Sequence, residues 1–284
     1  MFKKKFLKSV INPIIKKILF YWAKHYTLEK KYNQLVVYSY DSVSSEINLD
    51  GIYEKDQIFF LENFLKEKNF DFKNNVFVDI GAYIGNHSIY FSKKFQEVLS
   101  FEPHPTSFEI LKINCKNFKN IKIYNYGCSD DDKKSFLRLK HTNIGGSTIS
   151  DGNHERDYPV ELIKIDNFLK DYSKKIGLIK IDVEGHEDKV LKGTIDILKE
   201  NKPIIMMELK NFKNESDLKI VKELRSIGYH KFYELERKIK FNINQDNIFL
   251  AFIDTIINFL LKNPIQIKEI KIFKKREYQN IIII

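Results

Sequence analysis

Cysteine is scarce in this chain, and no dense cluster of cysteine and histidine occurs anywhere along it. Cys115 and Cys128 are the two cysteines among 284 residues, and neither belongs to a CxxC pair. A disulfide framework requires paired cysteines and a structural zinc site requires clustered ligands, so the sequence indicates neither. We therefore predict a location in the reducing cytoplasm. A peripheral position at the inner face of the membrane is the alternative.

Long apolar runs are also lacking. The stretch from residue 2 to residue 22 is apolar and basic, but Lys8, Pro13, Lys16 and Lys17 interrupt it. These interruptions are too frequent for a membrane-spanning helix or the core of a signal peptide. The stretch instead predicts an amphipathic helix in which one apolar face opposes the lysines; that face contains Ile14, Ile15, Ile18, Leu19 and Trp22.

The apolar face of this helix leaves three interpretations open. It packs on the protein's own domain, it forms a homodimer contact, or residues 1–24 lie on a membrane surface. The formal net charge of +10 would also suit a nucleic acid. The lysines are dispersed rather than gathered with aromatic residues, however, so we expect no nucleic-acid partner.

Internal repeats and Gly/Ser or Pro linkers are absent from the sequence, which favours one main domain. We divide the chain into a basic helical extension (1–50), the main domain (51–253) and a C-terminal extension (254–284). The last of these alternates apolar and charged residues and ends in four isoleucines. It predicts an edge strand, a dimer contact or a membrane contact.

Short apolar runs separated by helix-like segments follow residue 75, which is the pattern of a parallel β-sheet. The predicted strands are Val76–Ile80, Glu97–Phe101, Ile121–Tyr126, Leu178–Ile181, Ile204–Leu209, Tyr229–Leu235 and Ile248–Ile253. They predict an α/β, Rossmann-like fold with a seven-stranded, mostly parallel sheet and helices on both faces. The polar insertion at 131–160, which contains Asn143 and Gly145, reads as a loop with a small excursion that covers the site.

The segment VFVDIGAYIGNHS combines a strand, a glycine turn and a helix start, which together predict a nucleotide pocket. Gly81 permits a sharp turn and a close approach to a ligand. Asp79 suits a ligand with an ammonium group, such as the methionine end of S-adenosylmethionine, and would repel a pyrophosphate. The glycines are spaced as GxxxG and not as the GxGxxG of dinucleotide-binding proteins, which weighs against a dehydrogenase.

Glu102 ends the next strand, where an acidic side chain can accept hydrogen bonds from both ribose hydroxyls. This position supports an adenosine ligand in general. Ser129 and Asp130 follow a third strand at the same end of the sheet and are weaker candidates for contact with adenine. The predicted cofactor contacts are Asp79, Gly81, Ala82, Gly85, Asn86, Glu102, Pro103, Ser129 and Asp130.

Three ionisable residues, Asp182, Glu184 and His186, follow the fourth strand in LIKIDVEGHEDKVLKG. Open parallel sheets bind their ligands beyond the carboxyl ends of the strands, so this is where a second substrate is expected to arrive. We predict that these three residues are catalytic. His87 and His104 flank the cofactor loops and are expected to pack or cap helices.

The motifs VDIGAYIGN, SFEP, IKIDVEGHE and VLKG together resemble those of the FkbM family of methyltransferases, over roughly residues 75–209. The resemblance implies the class I methyltransferase fold and methyl transfer from S-adenosylmethionine, often to a hydroxyl of a sugar, glycan or glycolipid. The expected partner is therefore a small-molecule or glycan acceptor. His186 would be the general base.

Two alternatives accompany this hypothesis. Related sugar methyltransferases imply a Mg²⁺ site, for which Asp182, Glu184 and Glu208 would be the ligands. A protein of this fold can also lack turnover and act as a non-catalytic membrane-surface or scaffold protein.

Overall fold

The structure is a computed structural model that describes residues 9, 11–21, 34–39, 41–140, 144–150, 152, 154, 155, 157–209, 215–237, 265–273 and 278–284. The chain is divided into two compact units, Met1–Lys55 and Asp56–Ile284. The predicted first domain boundary, at residue 50, lies close to this division.

The first unit contains two described helices. Residues 11–21 form α1, as the sequence predicted, while Trp22 lies outside the described residues. The apolar side chains of α1 are exposed, including Ile14 at 54% and Ile18 at 60%. Helix α2 (Ser42–Asp50) begins after Asp41, whose carboxylate accepts a hydrogen bond from the backbone N–H of Ser44. Within the described residues, no helix combines the length and apolar content needed to cross a membrane.

The second unit contains twelve described strands, arranged in two sheets. In chain order they are β1 (Val76–Ile80), β2 (Glu97–Phe101), β3 (Ile121–Tyr124), β4 (Gly127–Ser129), β5 (Lys133–Arg138), β6 (Thr148–Ser150), β7 (Asp157–Lys164), β8 (Ile176–Ile181), β9 (Ile204–Leu209), β10 (Phe232–Arg237), β11 (Ile265–Glu269) and β12 (Tyr278–Ile283).

The main sheet has eight strands in the order β11-β10-β12-β9-β8-β1-β2-β3. The strands from β9 to β3 are parallel, and β12, β10 and β11 pair antiparallel. β1 and β8 are buried at every position, because their apolar residues meet covering structure on both faces of the sheet. The strand order reverses between β1 and β8, and such a reversal opens a crevice at the carboxyl ends of the strands.

Helices lie before and between the strands and cover the main sheet. They are α3 (Lys55–Glu67), α4 (Asn86–Ser92), α5 (Pro105–Cys115), α6 (Ile165–Phe168), α7 (Glu187–Lys192), α8 (Ile195–Asn201) and α9 (Glu215–Ser226). α4 packs against β1 and β2, α5 against β3, and α8 against β8. The predicted Rossmann-like α/β fold is therefore confirmed.

The predicted number of strands in this sheet requires correction, because eight are described rather than seven. The predicted strand at 248–253 lies outside the described residues. The terminal isoleucines form β12, an interior strand between β9 and β10, and Ile281, Ile282 and Ile283 are almost completely buried. Residues 278–283, which the sequence analysis assigned to the C-terminal extension, thus form an interior strand of the main sheet.

The insertion at 131–160 also differs from the prediction, because it contains β5, β6 and the first half of β7 in addition to loops. β4, β7, β5 and β6 form a second, four-stranded sheet in that order. The exposed positions of β5 hold Lys133, Lys134, Phe136 and Arg138, and Leu137 is the buried side chain. Since one face of this small sheet meets solvent, its strands lack the continuous apolar runs of β1 or β8.

Candidate functional site

A cleft of about 550 Å³, partly open to solvent, lies at the carboxyl ends of β1, β2 and β8. Its lining comprises Ile80, Gly81, Tyr83, Phe101, Glu102, Pro103, His104, Tyr126, Gly127, Cys128, Leu137, Ile144, Gly145, Ser147, Ile149, Asp182, Val183, Glu184 and His186. Mostly apolar walls with a few polar groups are typical of a pocket for a small molecule.

The cleft brings together half of the predicted cofactor and catalytic residues. Those that line it are Gly81, Glu102, Pro103, Asp182, Glu184 and His186. The other six predicted residues are not among the described residues that line the cleft; they are Asp79, Ala82, Gly85, Asn86, Ser129 and Asp130. The functional roles of all twelve remain predictions.

Gly81 holds the loop after β1 against the loop after β8. Its φ is +80°, and a Cβ at this position would lie 1.9 Å from the backbone oxygen of Asp182. The backbone N–H groups of Gly81 and Ala82 both donate to the Phe101 oxygen at 3.0 Å. The glycine is thus required by contact between backbones inside the protein, in addition to any approach of a ligand.

Glu102 is a buried carboxylate in the wall of the cleft. Its Oε2 accepts a hydrogen bond from the backbone N–H of Tyr83 at 2.8 Å, and its Oε1 accepts one from that of His104 at 2.7 Å. Burial raises the pKa of Glu102 to about 7, although both hydrogen bonds favour the ionised form. Each oxygen keeps a further lone pair that can accept a ligand hydroxyl.

Asp79 has a protein cation as its neighbour. Its side chain is completely buried, accepts a hydrogen bond from the Ser88 hydroxyl at 2.6 Å, and lies 3.8 Å from the Lys180 ammonium. Burial raises the pKa of Asp79, and the charge of Lys180 opposes that rise. The same ammonium lies 3.2 Å from Asp182. Lys180 therefore links an acidic residue of β1 with one that follows β8.

His186 lies at the start of α7, where it lines the cleft and is 9% exposed. Its Nε2 lies 2.9 Å from the hydroxyl of Ser129, which in turn donates to Asp130 Oδ1 at 3.0 Å. Burial lowers the pKa of His186, so the neutral imidazole predominates at neutral pH. A neutral imidazole beside a cleft is able to accept a proton.

The backbone of the acidic loop adopts an uncommon conformation. Glu184 has a φ of +53°, in the left-handed region, and Gly185 follows with a φ of +98°. A non-glycine residue in that region costs about 1–2 kcal/mol. The backbone N–H of Gly185 donates to Glu187 at 2.9 Å, which helps to hold this turn at the start of α7.

The proposed metal ligands do not form a cluster. Among the described residues, no three side chains of His, Cys, Asp or Glu are grouped in a way that would hold a metal ion. Glu208 lines a separate cleft of about 160 Å³ together with Lys180 and Asp182. The Lys180 ammonium already lies beside Asp182, where a metal ion would experience its repulsion. The Mg²⁺ hypothesis is therefore not supported.

The sequence interpretation missed the apolar wall of the cleft. Tyr126 follows β3, while Leu137, Ile144 and Ile149 belong to the insertion that was predicted as loop. His104 behaves as predicted, because its Nδ1 accepts the backbone N–H of Ser107 at the start of α5. His104 also lines the cleft. This position could be predicted only with knowledge of the order of the strands in the sheet.

Two named methyltransferases align with part of the chain. "Methyltransferase 1" of Beauveria bassiana is 27% identical over an alignment of 144 residues, and the alignment covers 42% of this chain and 58% of the relative. "Hexuronic acid methyltransferase AglP" of Haloferax volcanii is 29% identical over 128 residues, which is 44% of this chain and 52% of the relative. The chain thus spans little more than half the length of these relatives.

Solved structures show a looser similarity. The crystal structure of a methyltransferase FkbM from Methylobacillus flagellatus has 21% identity and a TM-score of 0.42, and the similarity covers 60% of this chain and 41% of that one. A putative methyltransferase from Streptococcus mutans in complex with SAH has 12% identity and a TM-score of 0.40, covering 80% of this chain and 97% of that one.

The family model described as "Methyltransferase FkbM domain" matches residues 79–231, more than half of the chain. The match begins at Asp79 in β1 and extends through the acidic loop after β8 to the start of β10. The resemblance seen in the sequence motifs is therefore confirmed. This chain belongs to the FkbM family of methyltransferases.

Proposed function

We propose that this methyltransferase transfers a methyl group from S-adenosylmethionine to a hydroxyl of a sugar, glycan or glycolipid. The observation that carries the proposal is the content of a single cleft. Glu102 lies on one side of the strand-order reversal, and Asp182, Glu184 and His186 lie on the other. A donor and an acceptor bound at these two places would meet at the carboxyl ends of β1 and β8.

The charge of the cleft supports a cationic donor. Its lining includes the carboxylates of Glu102, Asp182 and Glu184, and among the described lining residues there is neither lysine nor arginine. A sulfonium and an ammonium group are stabilised by such surroundings, whereas the pyrophosphate of a dinucleotide is repelled. S-adenosylmethionine, when bound, would supply the methyl group, and Glu102 would accept hydrogen bonds from its ribose.

The walls of the cleft support a sugar as acceptor. Carboxylates accept hydrogen bonds from hydroxyl groups, and the ring of Tyr126 with Leu137 and Ile149 offers an apolar surface for the C–H face of a sugar. The Haloferax relative is a hexuronic acid methyltransferase by name. Because the cleft here is acidic, we expect a neutral sugar to be preferred over a hexuronic acid.

His186 would act as the general base. In the transfer, the acceptor oxygen forms a bond to the methyl carbon as the carbon–sulfur bond breaks, and the hydroxyl proton passes to the imidazole. Asp182 and Glu184 would hold the neighbouring hydroxyls and thereby orient the attacking oxygen.

Calorimetric titration with S-adenosylmethionine tests the donor, with NAD as the competing ligand. We expect micromolar binding of S-adenosylmethionine and none of NAD. Glu102→Gln should weaken binding about 10- to 100-fold, because a hydrogen bond to a charged group contributes about 1.5–3 kcal/mol. Glu109→Gln is the matched control, since Glu109 is an exposed residue of α5 that pairs with Lys112.

Transfer of a labelled methyl group to glycosides of neutral hexoses and of hexuronic acids tests the acceptor. We expect a methylated neutral glycoside, with equal yields in the presence and absence of a chelator. If the folded protein bound no donor, the non-catalytic scaffold would replace the enzyme as the better hypothesis. If only hexuronic acids were methylated, our assignment of the neutral sugar would be wrong.

A further inference from the structure

We propose that Ser129 and Asp130 are positioning residues that hold His186 in its Nε2–H tautomer and leave Nδ1 as the proton acceptor. The inference rests on the proposed function and deepens it. It also gives these two residues a role different from the contact with adenine that their position in the sequence suggested.

The hydrogen bonds form a chain with one consistent arrangement of protons. The Ser129 hydroxyl lies 2.9 Å from His186 Nε2 and 3.0 Å from Asp130 Oδ1. An ionised carboxylate only accepts, so the single proton of the hydroxyl points to Asp130. The hydroxyl oxygen must then accept from His186, and the proton of the imidazole lies on Nε2.

Asp130 is suited to the acceptor end of this chain. Burial alone would raise its pKa, but the hydrogen bond from Ser129 and the charges of Lys133 and Lys189 hold it below its usual value. Lys133 Nζ lies 3.8 Å from Asp130 Oδ1. The carboxylate is therefore ionised at neutral pH and able to orient the hydroxyl.

The second nitrogen of His186 is available. In the part of the chain that the structure describes, Nδ1 makes no hydrogen bond, and the residue begins α7 without capping it through its side chain. His186 lines the cleft that contains Asp182 and Glu184. Nearby charges influence the pKa of the imidazole but do not form the hydrogen bond at Nε2; they are those of Asp188, Lys189, Asp130 and Lys133.

The backbone fixes the distance between Ser129 and His186. α7 begins after His186 and ends at Gly193, and a Cβ on Gly193 would lie 1.8 Å from the backbone oxygen of Ser129. Both ends of α7 are therefore held against the same residue of β4. The hydroxyl of Ser129, which is completely buried, has little freedom to leave the imidazole.

The chain of hydrogen bonds matters in the transfer because it stabilises the charge that forms on the ring. The hydroxyl proton of the acceptor moves to Nδ1 as the methyl ether forms, which leaves an imidazolium and S-adenosylhomocysteine. The imidazolium donates through Nε2 to Ser129, and the Asp130 carboxylate partly compensates its charge. The proton then passes to water when the products leave.

Nitrogen NMR of ¹⁵N-histidine protein tests the tautomer without turnover. The His186 signals are assigned by their loss in His186→Asn. We expect a protonated Nε2 and an unprotonated Nδ1 in the wild type at neutral pH. Ser129→Ala should shift the population towards the Nδ1–H tautomer, and Asp130→Asn should do so in part.

Two controls separate this effect from general disturbance of the fold. Ser129→Thr retains the hydroxyl and should restore the wild-type tautomer, while Asp131→Asn changes an exposed neighbour and should have no effect. A wild-type Nδ1–H tautomer, or an unchanged tautomer in Ser129→Ala, would overturn the proposal.

Binding of S-adenosylmethionine to the same variants distinguishes this proposal from the proposed function. If Ser129 and Asp130 are positioning residues, the affinity should remain within about twofold of the wild type. A loss of affinity together with an unchanged tautomer would assign them to the cofactor site instead. Absence of binding by the wild type would contradict the proposed function, whereas the tautomer measurement stands independently of it.

Discussion

Glu102 shows how burial can make the affinity for a donor depend on pH. Its carboxylate is buried in the cleft wall between two backbone N–H groups, and its pKa is raised to about 7. Only the ionised carboxylate can accept from both ribose hydroxyls while retaining both backbone bonds. The proposed ligand contact is therefore present above this pKa and weakened below it.

We accordingly expect the affinity for S-adenosylmethionine to rise between pH 6 and pH 8. The change should approach about tenfold per pH unit below the pKa, because each binding event then requires loss of a proton. Calorimetry across this range measures the effect, and Glu102→Gln should remove it. An affinity in the wild type that does not vary with pH would show that Glu102 is ionised throughout, or that the ribose binds elsewhere.

Comparing Gly81→Ala with Gly228→Ala should distinguish the cost of a collision between the two loops from the ordinary cost of a left-handed alanine. The added Cβ would collide with the Asp182 oxygen at 1.9 Å, so we expect a loss of more than about 3 kcal/mol in the free energy of unfolding, with loss of donor binding. Gly228→Ala is the control, since Gly228 has a φ of +102° and its nearest contact is the flexible end of Lys202 at 3.2 Å. That change should cost only about 1–2 kcal/mol. Equal losses in both variants, measured by urea unfolding, would exclude a special role for the contact with Asp182.

Local motifs predicted some residues of the cleft and not others. Gly81, Glu102, Asp182 and His186 each follow a recognisable strand, and the carboxyl ends of parallel strands converge. The partner of Asp79 was not predictable, because Lys180 comes from β8 and a buried lysine in IKIDVEG does not reveal which strand lies beside it. Whether Ser129 faces a ligand or His186 likewise depends on the pairing of β4 with β7.

At the scale of elements, continuous apolar runs predicted strands well. β1, β2 and β9 have the predicted bounds, because each is buried on both faces and its neighbours in sequence are polar or turn residues. Apolar runs did not predict β5 and β6, because most residues of both strands are polar. The isoleucines of β12 were identified as apolar but not as interior.

Because β12 is an interior strand, shortening one of its buried side chains should strongly reduce the stability of the fold. Ile282 is completely buried and pairs with Met206 of β9 and Tyr233 of β10. Ile282→Ala should reduce the free energy of unfolding by about 2–5 kcal/mol, as is usual when a buried aliphatic side chain is removed. Ile272→Ala is the matched control, because Ile272 is 79% exposed. Its effect in urea unfolding should stay within about 0.5 kcal/mol. Similar small effects for both variants would contradict an interior β12.

At the scale of the whole molecule, positive charge and exposed apolar side chains occur together on α1. The formal net charge is +10, and Lys16 and Lys17 lie in a helix whose isoleucines are exposed. Exposed apolar side chains beside lysines are typical of helices that lie in the interface of an anionic bilayer. We therefore propose peripheral membrane contact through α1 in preference to a homodimer.

Vesicle sedimentation tests this contact. We expect binding to vesicles that contain phosphatidylserine, little binding to phosphatidylcholine alone, and release by salt, since each lysine near such a surface contributes about 1 kcal/mol. The double variant Lys16→Glu and Lys17→Glu should abolish binding. The control Lys199→Glu with Lys219→Glu makes the same change in net charge at exposed residues of α8 and α9. A dimer in sedimentation velocity that Ile18→Asp dissociates would favour the homodimer instead.

The place of β12 in the sheet also has a consequence for synthesis on the ribosome. β9 and β10 leave the exit tunnel before β12, yet in the folded protein they are separated by it. Until β12 has also left the tunnel, the nascent chain has two strand edges without their partner, and unpaired edges attract other chains. Chaperones that bind such edges should therefore associate with the nascent chain once β9 and β10 have emerged, and release should follow the insertion of β12.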